Sequence, residues 1–149
     1  MRALVQRVSE GGVYIESHNY SADIKHGMVI LLGVRTSDTE EEVNFVADKC
    51  SNLRIFEDSE GKMNLSLKDV DGEVLIISQF TLYGDARKGN RPNFTEAAKS
   101  EQAESLYLKF IDRVKGNIGD GKVKVGIFGA MMKVRIINDG PVTILVESK

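Results

Sequence analysis

The chain has few of the residues that form disulfides or bind metals, and it has no long apolar segment. Its 149 residues include one cysteine, Cys50, together with two histidines, two prolines and no tryptophan. A lone cysteine excludes an internal disulfide and makes a reducing compartment the expected location. No apolar run approaches the roughly 18 residues that a membrane-spanning helix needs. The first twelve residues lack the apolar segment of a signal peptide, so a cytoplasmic protein is expected.

The usual motifs of metal and triad enzymes are missing as well. Neither Cys-x-x-Cys nor His-Glu-x-x-His occurs, and His18 and His26 have no further ligand at metal spacing. No metal site is therefore expected, and both histidines are interpreted as surface residues. A Ser-His-Asp triad would have no obvious histidine base. Residues 116–122 match Gly-x-x-x-x-Gly-Lys, but Val123 follows where a phosphate loop needs Ser or Thr, so we interpret this segment as a turn.

Hydrophobic periodicity predicts one domain over residues 1–149, of mixed α/β class. A capping-box pattern predicts a helix over about 39–52, with Cys50 on its apolar face as a core residue. Apolar residues at helical spacing over 103–114 predict a second helix. The predicted strands are 2–8, 13–16, 27–34, 53–57, 73–83, 122–128, 131–138 and 142–147. Gly11 and Gly12 are expected to turn the first hairpin. This order predicts a largely antiparallel sheet or small barrel with two helices packed outside.

Charge is distributed unevenly along a chain whose net charge is only −2. Residues 38–73 carry eleven acidic and four basic side chains, and residues 105–135 carry seven basic and two acidic ones. A further glycine-rich loop, 84–93, contains Arg87, Lys88 and Arg91. Clustered bases favour a face that binds nucleic acid, whereas solvated surface charge explains the same pattern about equally well.

Two short segments stand out from the hydrophobic pattern. Polar side chains at 78–81 follow the apolar end of a strand, which indicates either a strand running into solvent or a strand-end site with free N–H groups. The second segment, 138–143, contains Pro141 between two predicted strands. Because proline removes a ladder hydrogen bond, a hairpin turn is the simplest interpretation. Pattern alone does not predict a cis bond at this proline.

The sequence resembles the D-aminoacyl-tRNA deacylases from end to end. The two characteristic motifs of that family are Ser-Gln-Phe-Thr-Leu, here 78–82, and Gly-Pro-Val-Thr, here 140–143. Further matching segments are 1–8, 27–34, 53–56, 89–94, 128–130 and 138–139. The chain departs from the family at Met131, where many members have an acidic residue, and at Val125, where they have threonine. Both departures bear on the polarity of the pocket.

The resemblance implies hydrolysis of the ester that joins a D-amino acid to the 3′ end of tRNA. It also implies action on glycine mischarged on alanine tRNA, a homodimer, and no metal or cofactor. A Gly-Pro pair with a cis bond, here Gly140 and Pro141, is expected to enter the partner's active site and to reject L-amino acids. The residues expected to be catalytic are Ser78, Gln79, Phe80 and Thr81. Those expected to bind substrate or tRNA are Arg7, Phe128, Gly129, Ala130, Met132, Arg87, Lys88 and Arg91.

Some alternatives stay open at this point. Thr81 is either a nucleophile or a group that orients water while the terminal 2′-hydroxyl of the tRNA assists; the lack of a nearby histidine base favours assistance. Main-chain N–H groups of Phe80 and Thr81 would form the oxyanion hole. Two rival functions are a tRNA-binding module without turnover and an editing relative of relaxed specificity, with a trans Gly-Pro bond.

Overall fold

The computed structural model describes residues 1–149. Its strands are β1 (Arg2–Ile15), β2 (Tyr20–Ile24), β3 (Gly27–Gly33), β4 (Phe56–Glu57), β5 (Met63–Leu65), β6 (Glu73–Ser78), β7 (Val123–Val125) and β8 (Lys133–Glu147), and its helices are α1 (Glu40–Asn52) and α2 (Ser100–Ile118). Single 3-10 turns occupy Glu16–His18, Phe80–Tyr83 and Asp120–Lys122. Neither α-helix combines the length and apolar character needed to cross a bilayer.

Strand β1 organises a six-stranded, barrel-like sheet. On one side, its first half pairs antiparallel with β3 and its second half with β2, while β8 pairs antiparallel along the other side. Beyond β3 the ladder continues through β6 and β7, both parallel to their neighbours. Strands β4 and β5 form a separate small ladder. The predicted mixed α/β class with two helices is confirmed.

The expected hairpin at Gly11 and Gly12 was wrong, because β1 continues through both glycines without a turn. A Cβ atom on Gly11 would lie 2.9 Å from the Cγ2 atom of Val29 on β3. This glycine therefore serves the close packing of two strands rather than chain reversal. The second half of β1 pairs with β2 on one side and with β8 on the other, and the sequence pattern did not indicate strand β2.

The prediction of a C-terminal hairpin that turns at 138–143 was also wrong, because residues 133–147 form one strand. Val8 pairs with Asn138 and Gln6 pairs with Thr143, so four residues of β8, 139–142, lie opposite Arg7 alone. We call this insertion the Pro141 bulge. A bulge accommodates proline within a ladder because its extra residues are not paired.

Several other boundaries differ from the prediction. The strand expected at 53–57 is limited to Phe56–Glu57. The strand expected at 73–83 ends at Ser78, and a 3-10 turn follows from Phe80. The strand expected at 122–128 is limited to Val123–Val125. Helix α2 continues to Ile118, and Gly119 and the following 3-10 turn lead into β7. The turn predicted for 116–122 was wrong in its first part, because residues 116–118 belong to α2 and the chain turns only from Gly119 onward.

The two helices cover one face of the sheet. Thr39 and Glu42 form a reciprocal capping box at the start of α1, as predicted. The apolar stripe of α2 and that of α1 pack with β1, β3 and β6 in a core of 24 buried residues. Cys50 belongs to this core, and burial raises the pKa of its thiol to about 12. Its interpretation as a core residue is confirmed.

Ion pairs between the acidic segment 38–73 and the basic segment 105–135 account for the uneven charge of the sequence. Lys109 pairs with Glu40 at 2.6 Å, Arg113 with Asp48 at 2.7 Å, and Lys122 with Asp71 at 3.1 Å. Of the remaining bases in 105–135, Lys115 and Arg135 also have acidic partners, which leaves Lys124 and Lys133 without one. The acidic and basic segments therefore largely neutralise each other, and most of 105–135 is not a free cationic face.

Asp48 gives this helix contact a pH dependence. Hydrogen bonds from Arg113 lower the pKa of Asp48 to about 2, and Asn117 contributes a further bond. A carboxyl group whose folded pKa is depressed stabilises the fold above its unfolded pKa and loses that contribution as pH falls. Between about pH 4, the unfolded value, and about pH 2, the unfolding free energy should fall more steeply for wild type than for Asp48→Asn. Urea unfolding measures this; Glu104→Gln, which removes an exposed unpaired carboxylate, should keep the wild-type slope.

Candidate active site

The carboxyl ends of three parallel strands meet at one edge of the sheet. Leu32 of β3 pairs with Ser78 of β6, and Ile76 of β6 pairs with Val125 of β7. The segments that leave this edge are 78–83, here called the Thr81 turn, and 126–132, here called the Phe128 loop. In open sheets, ligands bind in the crevice outside such carboxyl ends. Two of the predicted groups of site residues therefore share one edge.

Local hydrogen bonds fix the Thr81 turn. The N–H of Gln79 donates to the carbonyl of Leu32 at 2.7 Å, and the N–H of Gly84 donates to the carbonyl of Thr81 at 2.9 Å. The side-chain amide of Gln79 donates to the Oγ1 atom of Thr81 in a short contact. The N–H groups of Phe80 and Thr81 open the 3-10 turn and donate to no group of the chain. Two donors and one hydroxyl thus remain available at this position.

Phe80 links the turn to the basic loop. Its ring is 55% exposed and meets the ring of Phe94 edge-on, with centroids 5.1 Å apart. Phe94 follows loop 84–93, whose ends are joined by main-chain hydrogen bonds between Asp85 and Asn93. Phe94 was not among the predicted site residues; an aromatic side chain directly after a basic loop was the available signal.

The three bases of the loop are not equivalent. Arg87 donates to both carboxylate oxygens of Asp85, at 2.9 and 2.7 Å, and these bonds lower the pKa of Asp85 and raise that of Arg87. Lys88 and Arg91 are exposed and lie within no ion pair. Of the three basic residues in this loop, Lys88 and Arg91 have charges that no acidic side chain neutralises, whereas the charge of Arg87 is paired with Asp85.

The Phe128 loop is held close to the sheet by a glycine. Gly126 donates its N–H to the carbonyl of Ile76 at 3.2 Å, and a Cβ atom on this glycine would lie 2.6 Å from the Sδ atom of Met132. Phe128 is half-buried, and Ala130 and Met132 pack on the smaller core cluster. Met131 is 90% exposed, so the departure from the family pattern at this position faces solvent.

Arg7 holds the Pro141 bulge from inside the fold. Its guanidinium is buried and donates to the carbonyls of Asp139 at 3.0 Å and Ile55 at 2.8 Å. Gly140 has φ +127°, and a Cβ atom there would lie 2.9 Å from the Nη2 atom of Arg7. The Gly140–Pro141 bond is cis. Pro141 is exposed at the tip of the bulge.

Within one chain, the bulge and the Thr81 turn are separated along the direction of the strands. Arg7 pairs with Met28 at the start of β3, whereas Gln79 bonds to Leu32 near its end. Four residues of strand correspond to about 13 Å along the sheet. The predicted site residues therefore form two groups in a single chain: the Thr81 turn, the basic loop and the Phe128 loop in one, and Arg7 with the bulge in the other.

Comparison with known proteins identifies the family. The family model described as D-Tyr-tRNA(Tyr) deacylase matches residues 4–147. The chain belongs to this deacylase family. Proteins named D-aminoacyl-tRNA deacylase are 56% identical in Caldicellulosiruptor saccharolyticus, over 100% of this chain and 98% of that protein, and 55% identical in Thermotoga petrophila, over 99% and 97%.

Two solved structures are similar to this chain along its whole length. A structure described as c-Myc DNA Unwinding Element Binding Protein has a TM-score of 0.94 and 41% identity, covering 100% of this chain and 99% of that one. A probable eukaryotic D-amino acid tRNA deacylase has a TM-score of 0.85 over 99% and 98% of the two chains. At 18% identity, this second structure shows only that its fold is the same as that of the present chain.

The contacts of Arg7 in this deacylase predict a large effect of Arg7→Lys. A lysine ammonium does not reproduce the planar fork that serves two carbonyls, so one buried carbonyl loses its donor. We expect a loss of about 1–3 kcal/mol of unfolding free energy and faster amide exchange at Val142. Arg54→Lys is the matched control, because Arg54 also bridges two acceptors but is exposed. Equal losses in the two variants would contradict this account.

Proposed function

We propose that this protein hydrolyses the ester bond of D-aminoacyl-tRNA and releases free tRNA and the D-amino acid. The family match over residues 4–147 carries this proposal. It is supported by the free N–H groups and the hydroxyl at the Thr81 turn, which suit a reaction at a carbonyl. Because the substrate is made in the cytoplasm, we propose that the protein acts there. An aminoacyl ester is already activated, so its hydrolysis needs water and no cofactor.

The chemistry proceeds through a tetrahedral intermediate. Water attacks the carbonyl carbon, and the electron pair of the carbonyl double bond moves to its oxygen. The N–H groups of Phe80 and Thr81 stabilise that oxyanion. The electron pair of the oxyanion then re-forms the carbonyl as the bond to the 3′-oxygen of the tRNA breaks, and this oxygen takes the proton that the attacking water gives up. The product is a carboxylic acid and a free 3′-hydroxyl.

Thr81 acts in this proposal by orienting, not by attacking. Its Oγ1 atom accepts a hydrogen bond from Gln79, whose amide cannot take up a proton as a base would. The two histidines lie in the β1–β2 and β2–β3 connections and are both exposed. The terminal 2′-hydroxyl of the tRNA is therefore the better candidate to assist the attacking water.

We propose a homodimer in which each site is completed by the other copy. The separation of the Pro141 bulge from the Thr81 turn supports this, since one chain does not bring them together. A row of leucines offers the contact surface: Leu4 lies beside Leu31 on β3 and Leu145 on β8, and Leu145 is 49% exposed. We propose a two-fold dimer through this row, with each bulge directed toward the other chain.

The partner's Pro141 then serves as a steric filter. D- and L-aminoacyl esters carry the same groups, so a pocket separates them better by a clash than by attraction. A bulge fixed by Arg7 approaches the substrate Cα from the side where an L side chain would lie. Glycine has no side chain to clash, and we therefore propose glycyl-tRNA(Ala) as a second substrate. Arg87, Lys88 and Arg91 contact the phosphates of the tRNA.

Parallel hydrolysis assays test this function. D-tyrosyl-tRNA and glycyl-tRNA(Ala) should lose their ester rapidly, while L-tyrosyl-tRNA persists. Thr81→Ala should lower kcat by about tenfold to a hundredfold without abolishing turnover, because positioning is lost but the N–H donors remain. Ser37→Ala, which removes an exposed hydroxyl without a hydrogen bond, is the control.

Other results of these assays would contradict the proposal in different ways. If none of the aminoacyl-tRNAs is hydrolysed, the result would support a nucleic-acid-binding module without turnover. Loss of L-tyrosyl ester would support the relaxed-specificity relative. An aminoacyl adduct on Thr81, trapped and detected by mass spectrometry, would show that Thr81 is the nucleophile.

Leu145→Lys tests the dimer. A lysine in the leucine row places a charge in the proposed contact, so light scattering should report a monomer and deacylase activity per chain should collapse. Leu108→Lys is the matched control, because Leu108 is 52% exposed on α2, away from the row. Circular dichroism confirms that both variants are folded. A monomeric Leu145→Lys protein with full activity would contradict the shared site.

A further inference from the structure

Two tyrosine hydroxyls donate hydrogen bonds to main-chain carbonyls at the sheet edge beneath the Phe128 loop. Tyr107, on α2, donates to the carbonyl of Ile76 at 2.9 Å. Tyr20, the first residue of β2, donates to the carbonyl of Val125 at 2.7 Å. The two tyrosines come from distant parts of the chain, yet they bind neighbouring strands at paired residues.

These two carbonyls lie where the Thr81 turn and the Phe128 loop leave neighbouring strands of the sheet. Ile76 lies two residues before Ser78, at the entry to the Thr81 turn, and Val125 directly precedes the Phe128 loop. The carbonyl of Ile76 also accepts the N–H of Gly126, so a single oxygen joins both strands and α2. The hydroxyls therefore act at the common base of the two segments that would hold the substrate.

The ring of Tyr107 adds a second contact to the same loop. It is 2% exposed and faces the ring of Phe128, with centroids 5.8 Å apart and an angle of 45° between the planes. Burial, with a smaller contribution from the nearby Tyr20, raises the pKa of the Tyr107 phenol. The phenol thus remains protonated and donating at neutral pH. Near the end of the loop Met131 is exposed, so it does not anchor the loop to the rest of the chain.

We propose that Tyr107 and Tyr20 are positioning residues that set the distance between the Phe128 loop and the Thr81 turn, and thereby the fit of the aminoacyl group. This inference rests on the proposed function. Neither tyrosine touches the substrate: each acts through the carbonyl it binds, and Tyr107 also through Phe128. The oxyanion donors at Phe80 and Thr81 keep their own hydrogen-bonded turn without them, so substrate binding should depend on the tyrosines more than the chemical step does.

Tyr107→Phe and Tyr20→Phe test this inference, because each removes one hydroxyl and keeps the ring. For D-tyrosyl-tRNA, we expect KM to rise about threefold to tenfold in each variant, the equivalent of one hydrogen bond, with kcat within about twofold of wild type. A merely structural role would reduce the fraction of folded enzyme, which lowers the apparent kcat and leaves KM unchanged. Tyr14→Phe is the matched control, since that hydroxyl is exposed and makes no hydrogen bond.

Binding without turnover gives a second readout. D-tyrosyl-adenosine with an amide in place of the ester should bind Tyr107→Phe and Tyr20→Phe more weakly by the same factor, as measured by calorimetry. An active wild type with unchanged KM and unchanged affinity in both variants would overturn this inference alone. A wild type that hydrolyses none of the aminoacyl-tRNAs would overturn the proposed function and this inference with it. Should Tyr107→Phe fail to fold, Tyr20→Phe decides, because Tyr20 lies half-buried on the edge strand.

Discussion

The pairing of β1 with β8, and its interruption opposite Arg7, is the constraint on which the rest of the structure depends. Where the two strands are in register, they form a regular antiparallel ladder and contribute Leu4 and Leu145 to the leucine row. Opposite Arg7, four residues of β8 have no partner, and the guanidinium supplies the hydrogen bond that the ladder does not. A buried charge with two carbonyl acceptors is costly to disturb. The bulge is therefore a fixed projection that presents Pro141 to solvent.

The helices and the family were predictable from the sequence because their signals are local. The capping box at Thr39 and the apolar spacing in α2 require only neighbouring residues to be read. The strand boundaries failed where glycine and proline have two physical uses. Gly11 allows a close approach to Val29 instead of turning the chain, and Pro141 lies in a bulge instead of a hairpin. Only the long-range pairing of β1 distinguishes these uses, and a sequence pattern does not contain it.

The charges and the two halves of the site show the same limit. Clustered bases in 105–135 suggested a cationic face, yet three of them pair with acids from 38–73 across elements far apart in sequence. The motifs at 78–82 and 140–143 were found together in the sequence, and the fold then separates them within one chain. The role of Tyr107 gave no signal, because a tyrosine on the apolar stripe of a helix resembles any core aromatic residue. Tyr20 gave none because it begins β2, a strand that the sequence pattern did not predict.

Mixed dimers test the central claim, a site shared between two copies, most directly. Thr81→Arg fills the proposed pocket of its own chain, and Pro141→Arg obstructs the pocket of the partner, so each variant alone should be inactive. When the two are unfolded and refolded together, about half of the dimers should be mixed, and one of their two sites should have neither substitution. The account predicts recovery of about a quarter of wild-type D-tyrosyl-tRNA hydrolysis per chain. No recovery in a verified mixed dimer would contradict it.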